Sequence, residues 1–334
     1  MLSGIDKTGV SVVICVYNGA DRIKATLQHL FIQKEINFDW EILIIDNNST
    51  DNTVAVATAY GHATQLSCSL RVISEKKPGT MHARKCGILN AKYRYLLYCD
   101  DDNWLHDRYV KSAFAKISDD AKIAAVGGRG ILEFEHGFVK PAWIDRYASY
   151  FGTGAQGIVD GDTTENKGCL YTAGAILDRV WLDKLFSSGF ESMLKGRDGT
   201  SLVAGEDTEL TYALKLIGGK LFYCSDMYFK HFMPDKRMNW GYLVRLSAAM
   251  GSSNYLLRPY VQGAKRNYLW DYIITTLLIL KYKTKALFGL FKDGDNNVII
   301  YSTFSGQLKA IQSSGSTYIA VTGIVQKLRS NNKY

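Results

Sequence analysis

Three consecutive carboxylates, Asp100, Asp101 and Asp102, end an apolar run in the segment Y-L-L-Y-C-D-D-D-N-W, from Tyr95 to Trp104. Adjacent carboxylates repel one another and are costly to desolvate, so their position at the end of a buried strand calls for a compensating cation. Mg²⁺ or Mn²⁺ suits that role. Both favour oxygen ligands, and Mg²⁺ takes one or two protein carboxylates while water and substrate phosphates fill its other positions. The competing reading is an acidic loop that complements the dipole of a helix beginning near Asp107. A second acidic pair, Glu206 and Asp207, stands in G-E-D-T-E-L, and Leu210, Ala213, Leu214 and Ile217 follow at helical spacing. Both acids therefore fall at a helix start, where one carboxylate can point into a cleft or merely complement the dipole.

The elements that must position these groups alternate strand and helix. Val10–Val16 and Glu41–Ile45 are apolar, β-branched runs suited to strands buried on both faces, and Ile23, Leu27, Leu30 and Phe31 recur between them at helical spacing. A second unit follows. Ser49 or Thr50 caps a helix through Ala59, Leu70–Ile73 is strand-like, Thr80–Asn90 is helical, and Tyr95–Cys99 is a strand. Ligands in such open sheets bind beyond the carboxyl ends of the strands. Tyr17 and Asn18, Asp46 and Asn47, Glu75 to Gly79 and the three aspartates all fall there, and they suit a nucleotide diphosphate. Asp46 can accept from a ribose or base, Asn18 with the backbone of Val16 and Tyr17 can hold the base, and Arg84 offers a fork of donors to the diphosphate. Each has a plainer use: Asn18 in the turn before Gly19, Asp46 to Ser49 as a helix cap, Arg84 on a solvated helix face.

Composition bounds the function classes. The chain has 334 residues, 47% of them hydrophobic, and only 4 prolines, enough for one large α/β domain with a smaller appendage and no long disordered linker. Its six cysteines form no C-x-x-C pair and read as reduced core thiols of a cytoplasmic protein. The first residues lack an apolar stretch of the secretory kind, and the longest apolar candidate, Tyr272 to Leu280, is too short to span a bilayer. The formal charge of +8 is uneven: residues 230 to 334 carry 15 Lys and Arg against 4 Asp and Glu, which leaves the first 229 residues net negative by 3. Helix-turn-helix, zinc-finger and aromatic RNA-binding signatures are missing, so nucleic acid is not the expected partner. An anionic membrane surface fits better, because Y-L-W-D-Y-I-I-T-T-L-L-I-L runs straight into K-Y-K-T-K. No G-x-G-x-x-G or G-x-x-x-x-G-K-[ST] loop is present, against Rossmann and P-loop alternatives.

In order along the chain, V-S-V-V-I-C-V-Y-N-G, I-L-I-I-D-N-N-S-T-D-N-T, P-G-T-M-H-A-R-K-C-G-I, Y-C-D-D-D-N-W and G-E-D-T-E-L together resemble a family 2 glycosyltransferase, over about Val10 to Arg237. The resemblance implies the GT-A fold: a mostly parallel central sheet flanked by helices, here with a helical C-terminal appendage. It also implies a catalytic domain over 1–239, with a nucleotide-binding half over about 10–104 and an acceptor-binding half over about 123–239, while the helical appendage over 240–334 lies outside the match. The D-x-D element of that family binds a divalent cation, Mn²⁺ or Mg²⁺, on the sugar-nucleotide diphosphate. Carried over residue by residue, the implied metal ligands are Asp102, His231 and Asp100. The donor-nucleotide set is Val16, Tyr17, Asn18, Asp46, Asn48, Gly79, Arg84, Asp100, Asp101 and Arg237. Asp207 is the implied base, with Glu206 second and also near the acceptor. Ala173 and Gly174 in Y-T-A-G-A-I-L-D-R-V resemble the strand and close-approach site that faces donor sugar and acceptor. Where many relatives have D-D-G-S-T-D, this chain has D-N-N-S-T-D, and Asn47 bears on base preference.

The segment from Glu133 to Lys167, with Pro141, Trp143, Tyr150 and Gln156, lacks periodicity and reads as acceptor-facing loops, in which Trp143 suits stacking on a sugar. Lys220 to Cys224 reads as a further strand, and beyond Trp240 the pattern is helical. The expectation is an inverting enzyme that uses a nucleotide-diphosphate sugar, UDP-linked by preference, and a glycan or polyprenyl-linked acceptor in cell-surface polysaccharide synthesis. Its expected place is the cytoplasm, peripheral at the inner face of the plasma membrane, with the C-terminal helices docking on lipid, through the segment from about Arg258 to Lys292, or on a second subunit. A nucleotidyltransferase is the first alternative, and a silent sugar-nucleotide-binding scaffold the second.

Overall fold

The computed structural model describes residues 7–63, 68–194, 196, 205–263, 267–287 and 294–331. The strands are β1 (Val10–Val16), β2 (Trp40–Asp46), β3 (Ser69–Ser74), β4 (Tyr95–Tyr98), β5 (Asn103–Leu105), β6 (Ile123–Phe134), β7 (Gly161–Asp162), β8 (Ile176–Asp178) and β9 (Lys220–Met233). They form one sheet in the order β3-β2-β1-β4-β8-β6-β9-β5, with β7 paired to β9. β1 to β4 run parallel, β8 is antiparallel to both β4 and β6, β6 and β9 are parallel, and β5 is antiparallel to β9.

The apolar runs explain the centre of this sheet. Every residue of β2 is buried, and alternate residues go to opposite faces: Ile42 and Ile44 join Val12 and Ile14 in one core cluster, while Leu43 and Ile45 join Val13 in another. Both faces are covered by helices, as the continuous hydrophobic runs require. The covering helices in the first half are α1 (Ile23–Phe31), α2 (Thr53–Ala63), α3 (Thr80–Asn90) and α4 (Tyr109–Ile117). Those in the second half are α5 (Ile144–Tyr147), α6 (Arg179–Ser187) and α7 (Glu206–Leu216).

Five helices follow: α8 (Trp240–Leu256), α9 (Arg258–Gln262), α10 (Tyr268–Leu287), α11 (Gly294–Ser313) and α12 (Gly315–Asn331). The expected boundary at residue 239 falls just before α8. Tyr255 and Leu256 of α8 and Val321, Val325 and Leu328 of α12 nevertheless share one core cluster with Leu210 and Leu214 of α7. α8 and α12 are thus packed against α7 in the same core. α8 and α11 meet backbone to backbone, because a Cβ on Gly251 would lie 1.9 Å from the Thr303 carbonyl oxygen and one on Gly306 1.7 Å from that of Ala248.

Two sequence readings are corrected here. The strand expected through Y-T-A-G-A-I-L-D-R-V is only Ile176–Asp178, and Gly174 lies ahead of it with φ +70°. The run read as a strand over Lys220 to Cys224 continues to Met233, since β9 shifts register on β6 and pairs onward through Phe134. Such an irregularity interrupts the apolar pattern without ending the ladder.

Candidate active site

A cavity of about 300 Å³ opens where β1 and β4 end, lined by Val16, Tyr17, Arg84, Asp100, Asp101, Asp102, Glu206, Asp207, His231 and Arg237 among others. Five separate stretches of chain converge here, and the sheet register helps bring them together. Cys99 N–H donates to the Val13 carbonyl at 3.0 Å, which sets the aspartates beside the end of β1. His231 stands opposite Asn103 in the β5–β9 pair, and Phe232 N–H donates to the Asp102 carbonyl at 2.9 Å. The long course of β9 is what delivers His231 to the acidic cluster.

The three aspartates have different partners. Asp102 Oδ1 is 3.4 Å from His231 Nε2, and its Oδ2 is 3.7 Å from Arg237 Nη1. Burial opposes the Asp102 charge, yet the imidazole and guanidinium outweigh it and hold the carboxyl below its ordinary range. Burial likewise opposes protonation of His231, and Asp102 overcomes it and raises the imidazole. The two shifts agree on a charged pair. Asp101 is pushed up to about 7, first by burial and then by Asp102, against the pull of Arg22 at 2.8 Å. Asp100 is also raised, by burial and by Asp102.

On the opposite wall Gly205 opens α7, and its φ of +128° is accessible to glycine at low cost. Glu206 turns inward to Arg84, with Oε1 3.4 Å from Nη1, and Arg84 also lies 5.6 Å from the centre of the Tyr98 ring. Burial raises the Glu206 carboxyl despite Arg84. For Arg84, burial opposes the charge, and Glu206 and Asp207 more than compensate. Asp207 instead is held by backbone: Thr208 N–H donates to Oδ1 at 2.7 Å and Thr172 N–H to Oδ2 at 3.3 Å. Two residues on, the fully buried Glu209 accepts from Ser192, Met193, Leu194 and Tyr260, which ties α7 to the 192–194 loop and to α9.

The other residues singled out from sequence divide by position. Val16 and Tyr17 line the cavity, as does Ala173. Asp46 is buried at the end of β2 and accepts from Ser49 N–H at 3.3 Å, while Asn18 Oδ1 accepts from Thr50 N–H at 2.8 Å. Asn18 and Asn48 both take positive φ, 49° and 64°, so these loops are built as tight turns at the same sheet edge. Asn47 clasps the next loop: its Nδ2 donates to the carbonyls of Glu75 at 3.2 Å and Lys77 at 2.7 Å, and its Oδ1 accepts from Gly79 N–H at 2.8 Å. Gly174 does not face the cavity. A Cβ there would sit 2.5 Å from the Tyr109 hydroxyl, which donates to the Gly174 carbonyl at 2.6 Å, so tight packing explains this glycine. Trp143 packs edge to face on Trp240 at 5.6 Å and is not among the cavity-lining residues, whereas Tyr150 is. The apolar cluster around Ile144 and Tyr147 supplies more contact for the Trp143 indole than an open loop would.

Other contributors escaped the sequence reading, Arg22, Tyr242 and Leu246 among them. Arg22 opens α1 beside Asp101, and its spacing resembles any solvated arginine. Tyr242 and Leu246 of α8 complete the cavity wall. They lie beyond the motifs, and only the fold brings them back.

The donor set around Asp102 suits a hard divalent cation: carboxylate oxygens and the His231 imidazole, whose buried Nδ1 has no hydrogen-bond partner. Among the described residues no group of three or more His, Cys, Asp and Glu side chains is gathered tightly enough to hold a metal alone. A cation here would therefore complete its shell with water and phosphate.

Comparison with known proteins agrees with this geometry. The model of the family described as glycosyl transferase family 2 matches residues 11–186. Glycosyltransferase AglE of Haloferax volcanii is 30% identical over 145 residues, 42% of this chain and 44% of that protein. The poly(ribitol-phosphate) β-N-acetylglucosaminyltransferase TarS of Staphylococcus aureus is 26% identical over 127 residues, 36% of this chain and 22% of that one. The matched stretches thus cover less than half of either relative. Among solved structures, the Pyrobaculum calidifontis mannosyltransferase PcManGT with GDP-Man and Mn²⁺ superposes with a TM-score of 0.57 at 14% identity, over 100% of this chain and 89% of that one. S. aureus TarS 1–349 with UDP gives 0.51 at 15% identity, over 98% and 90%. The fold shared with these enzymes is the GT-A fold.

Proposed function

Since this chain belongs to glycosyl transferase family 2 and is a glycosyltransferase, we propose that it moves a sugar from a nucleotide-diphosphate donor, UDP-linked by preference, to a hydroxyl of a glycan or polyprenyl-linked acceptor in cell-surface polysaccharide synthesis, with inversion at the anomeric carbon. The observation that carries this reading is the division of labour between two adjacent acids. Glu206 is committed to Arg84, while Asp207 is fixed by backbone N–H groups on the wall facing Asp100 and Asp102.

Asp207 accepts the proton of the acceptor hydroxyl as its oxygen attacks the anomeric carbon from the side opposite the diphosphate, which inverts the centre. Asp102, with His231 and Asp100, would hold a divalent cation, whose chemistry there would be to supply positive charge to the departing diphosphate. Arg237, beside Asp102, adds fixed positive charge on the same side, and Arg84, paired with Glu206, adds it from the opposite wall. The turns around Tyr17–Asn18 and Asp46–Asn48 form the edge against which base and ribose rest, with Gly79 closing the next loop. The Mn²⁺ and GDP-Man bound by PcManGT, and the UDP bound by TarS, support a cation and a nucleotide donor.

The test is a hydrolysis screen across UDP-, GDP- and dTDP-sugars with Mn²⁺, followed by Asp102→Asn and His231→Ala. Turnover with one nucleotide class, abolished in Asp102→Asn with an unchanged melting curve, is the expected result. His231→Ala should weaken Mn²⁺ binding about 10- to 100-fold, the scale of supporting residues at metal sites. Normal turnover of Asp102→Asn in EDTA would remove the cation from the mechanism.

A further inference from the structure

α10 has two faces of opposite character. One face meets α11: Thr275 Oγ1 accepts from Gln307 Nε2 at 2.8 Å, Tyr282 stacks on Phe304 at 6.0 Å, and Asp271 bonds Tyr255 and Arg258 of the preceding helices. Thr275 is the one residue of this helix described as buried. On the other face Leu269, Trp270, Ile273, Ile274, Leu277 and Leu280 recur at helical spacing, and Leu269, Trp270, Leu277 and Leu280 are each between 57% and 64% exposed. Isolated apolar side chains on a surface are ordinary, but a continuous stripe over three helical turns marks an interaction surface.

The charge beside the stripe selects the partner. Lys281 and Lys283 follow Leu280 and are both exposed, one on each flank of the stripe, half-buried Lys285 lies with Lys281 over the Tyr282 ring at 5.6 Å, and the only acid of α10, Asp271, is turned inward to Arg258. A helix with an apolar face, an aromatic residue near one end and a cluster of lysines at the other matches the interfacial zone of a bilayer, where apolar groups enter the acyl boundary and lysines meet anionic headgroups. Among the described residues, no helix is long and apolar enough to cross a membrane, so α10 would lie on the surface. We propose that the outer face of α10 docks this protein on an anionic lipid surface. The segment expected from sequence, Arg258 to Lys292, narrows to this helix; residues 264–266 and 288–292 lie outside the described residues.

Docking does not depend on the catalytic reading, and the test keeps the two apart. The full-length protein is floated with vesicles of phosphatidylcholine alone and with vesicles carrying a third phosphatidylglycerol, at low and high salt. Expected is binding to the anionic vesicles that weakens as salt rises. Leu277→Gln with Leu280→Gln, both exposed and so harmless to the fold, should abolish it. Lys281→Gln with Lys283→Gln should weaken it about 30-fold, since each surface lysine contributes about 1 kcal/mol. Circular dichroism melting checks that each variant is folded. Equal binding to neutral and anionic vesicles would overturn the proposal, as would wild-type flotation of the leucine variant. A wild-type dimer in light scattering that Leu277→Gln with Leu280→Gln converts to monomer, without vesicle binding, would assign the stripe to a second copy of the chain and overturn it too.

Discussion

α8 and α10 both pack on α11, yet they meet it in opposite ways. α8 comes close enough for backbone contact at Gly251 and Gly306, buries eight of its residues, and lends Tyr242 and Leu246 to the active cavity. α10 touches α11 through side chains and leaves its apolar stripe outside. Side-chain contact tolerates change, whereas backbone contact fixes position. The working unit is therefore drawn by packing rather than by the run of motifs: it reaches past residue 239 to include α8, while α10 is an arm carried by that unit.

The largest expected effect lies in the cavity that α8 walls. Asp207→Asn keeps the shape and removes the proton acceptor, so transfer should fall about 10²- to 10⁴-fold while Mn²⁺-dependent nucleotide binding stays near normal. Transfer within a few-fold of wild type would exclude Asp207 as the base and turn attention to Glu206. A second measurement tests the α8–α11 seam directly. Gly306→Ala places a methyl where the Ala248 carbonyl stands and should cost about 1–3 kcal/mol in urea unfolding, despite the better helix propensity of alanine. In α12 the same exchange at Gly323, where nothing lies within 4 Å of the new Cβ, should gain up to about 1 kcal/mol. If the two variants behave alike, the seam is not a close contact and the comparison fails.

The smallest effect concerns Glu209, which links α7 to α9. Burial raises this carboxyl above its ordinary 4.5, so the folded state keeps a proton that the unfolded state has already released. Its contribution is full below 4.5 and is lost as pH rises through the raised value. Glu209→Gln retains most of the shape and should flatten that decline. Urea midpoints from pH 4 to 8 that run parallel in the two proteins would show that Glu209 does not titrate there.

What could be read from sequence follows a physical division. Strands buried on both faces advertise themselves as apolar runs, so β1, β2 and β4 were visible almost to the residue, and α3 coincides with the expected Thr80–Asn90. The aspartates and the Glu206–Asp207 pair were visible because charge at the end of an apolar segment is chemically unusual. Contacts between distant segments were not. Nothing local distinguishes Arg22 from a solvated arginine, or Trp143 stacked on Trp240 from a tryptophan facing a sugar. Gly174 was noticed for the right reason, close approach, but its neighbour is Tyr109. Exposure of the α10 stripe likewise needed the fold, since periodicity alone does not say which face is covered.

The clasp made by Asn47 bears on how a ligand binds. With three hydrogen bonds from one carboxamide, the backbone from Glu75 to Gly79 is ordered before anything enters the cavity. Fixing a loop residue costs about 1–2 kcal/mol of conformational entropy. A nucleotide sugar meeting this edge would not bear that cost, and its association entropy should be correspondingly less unfavourable. An aspartate at this position would present a carboxylate to two carbonyl oxygens and release the loop, making the same ligand order it on arrival.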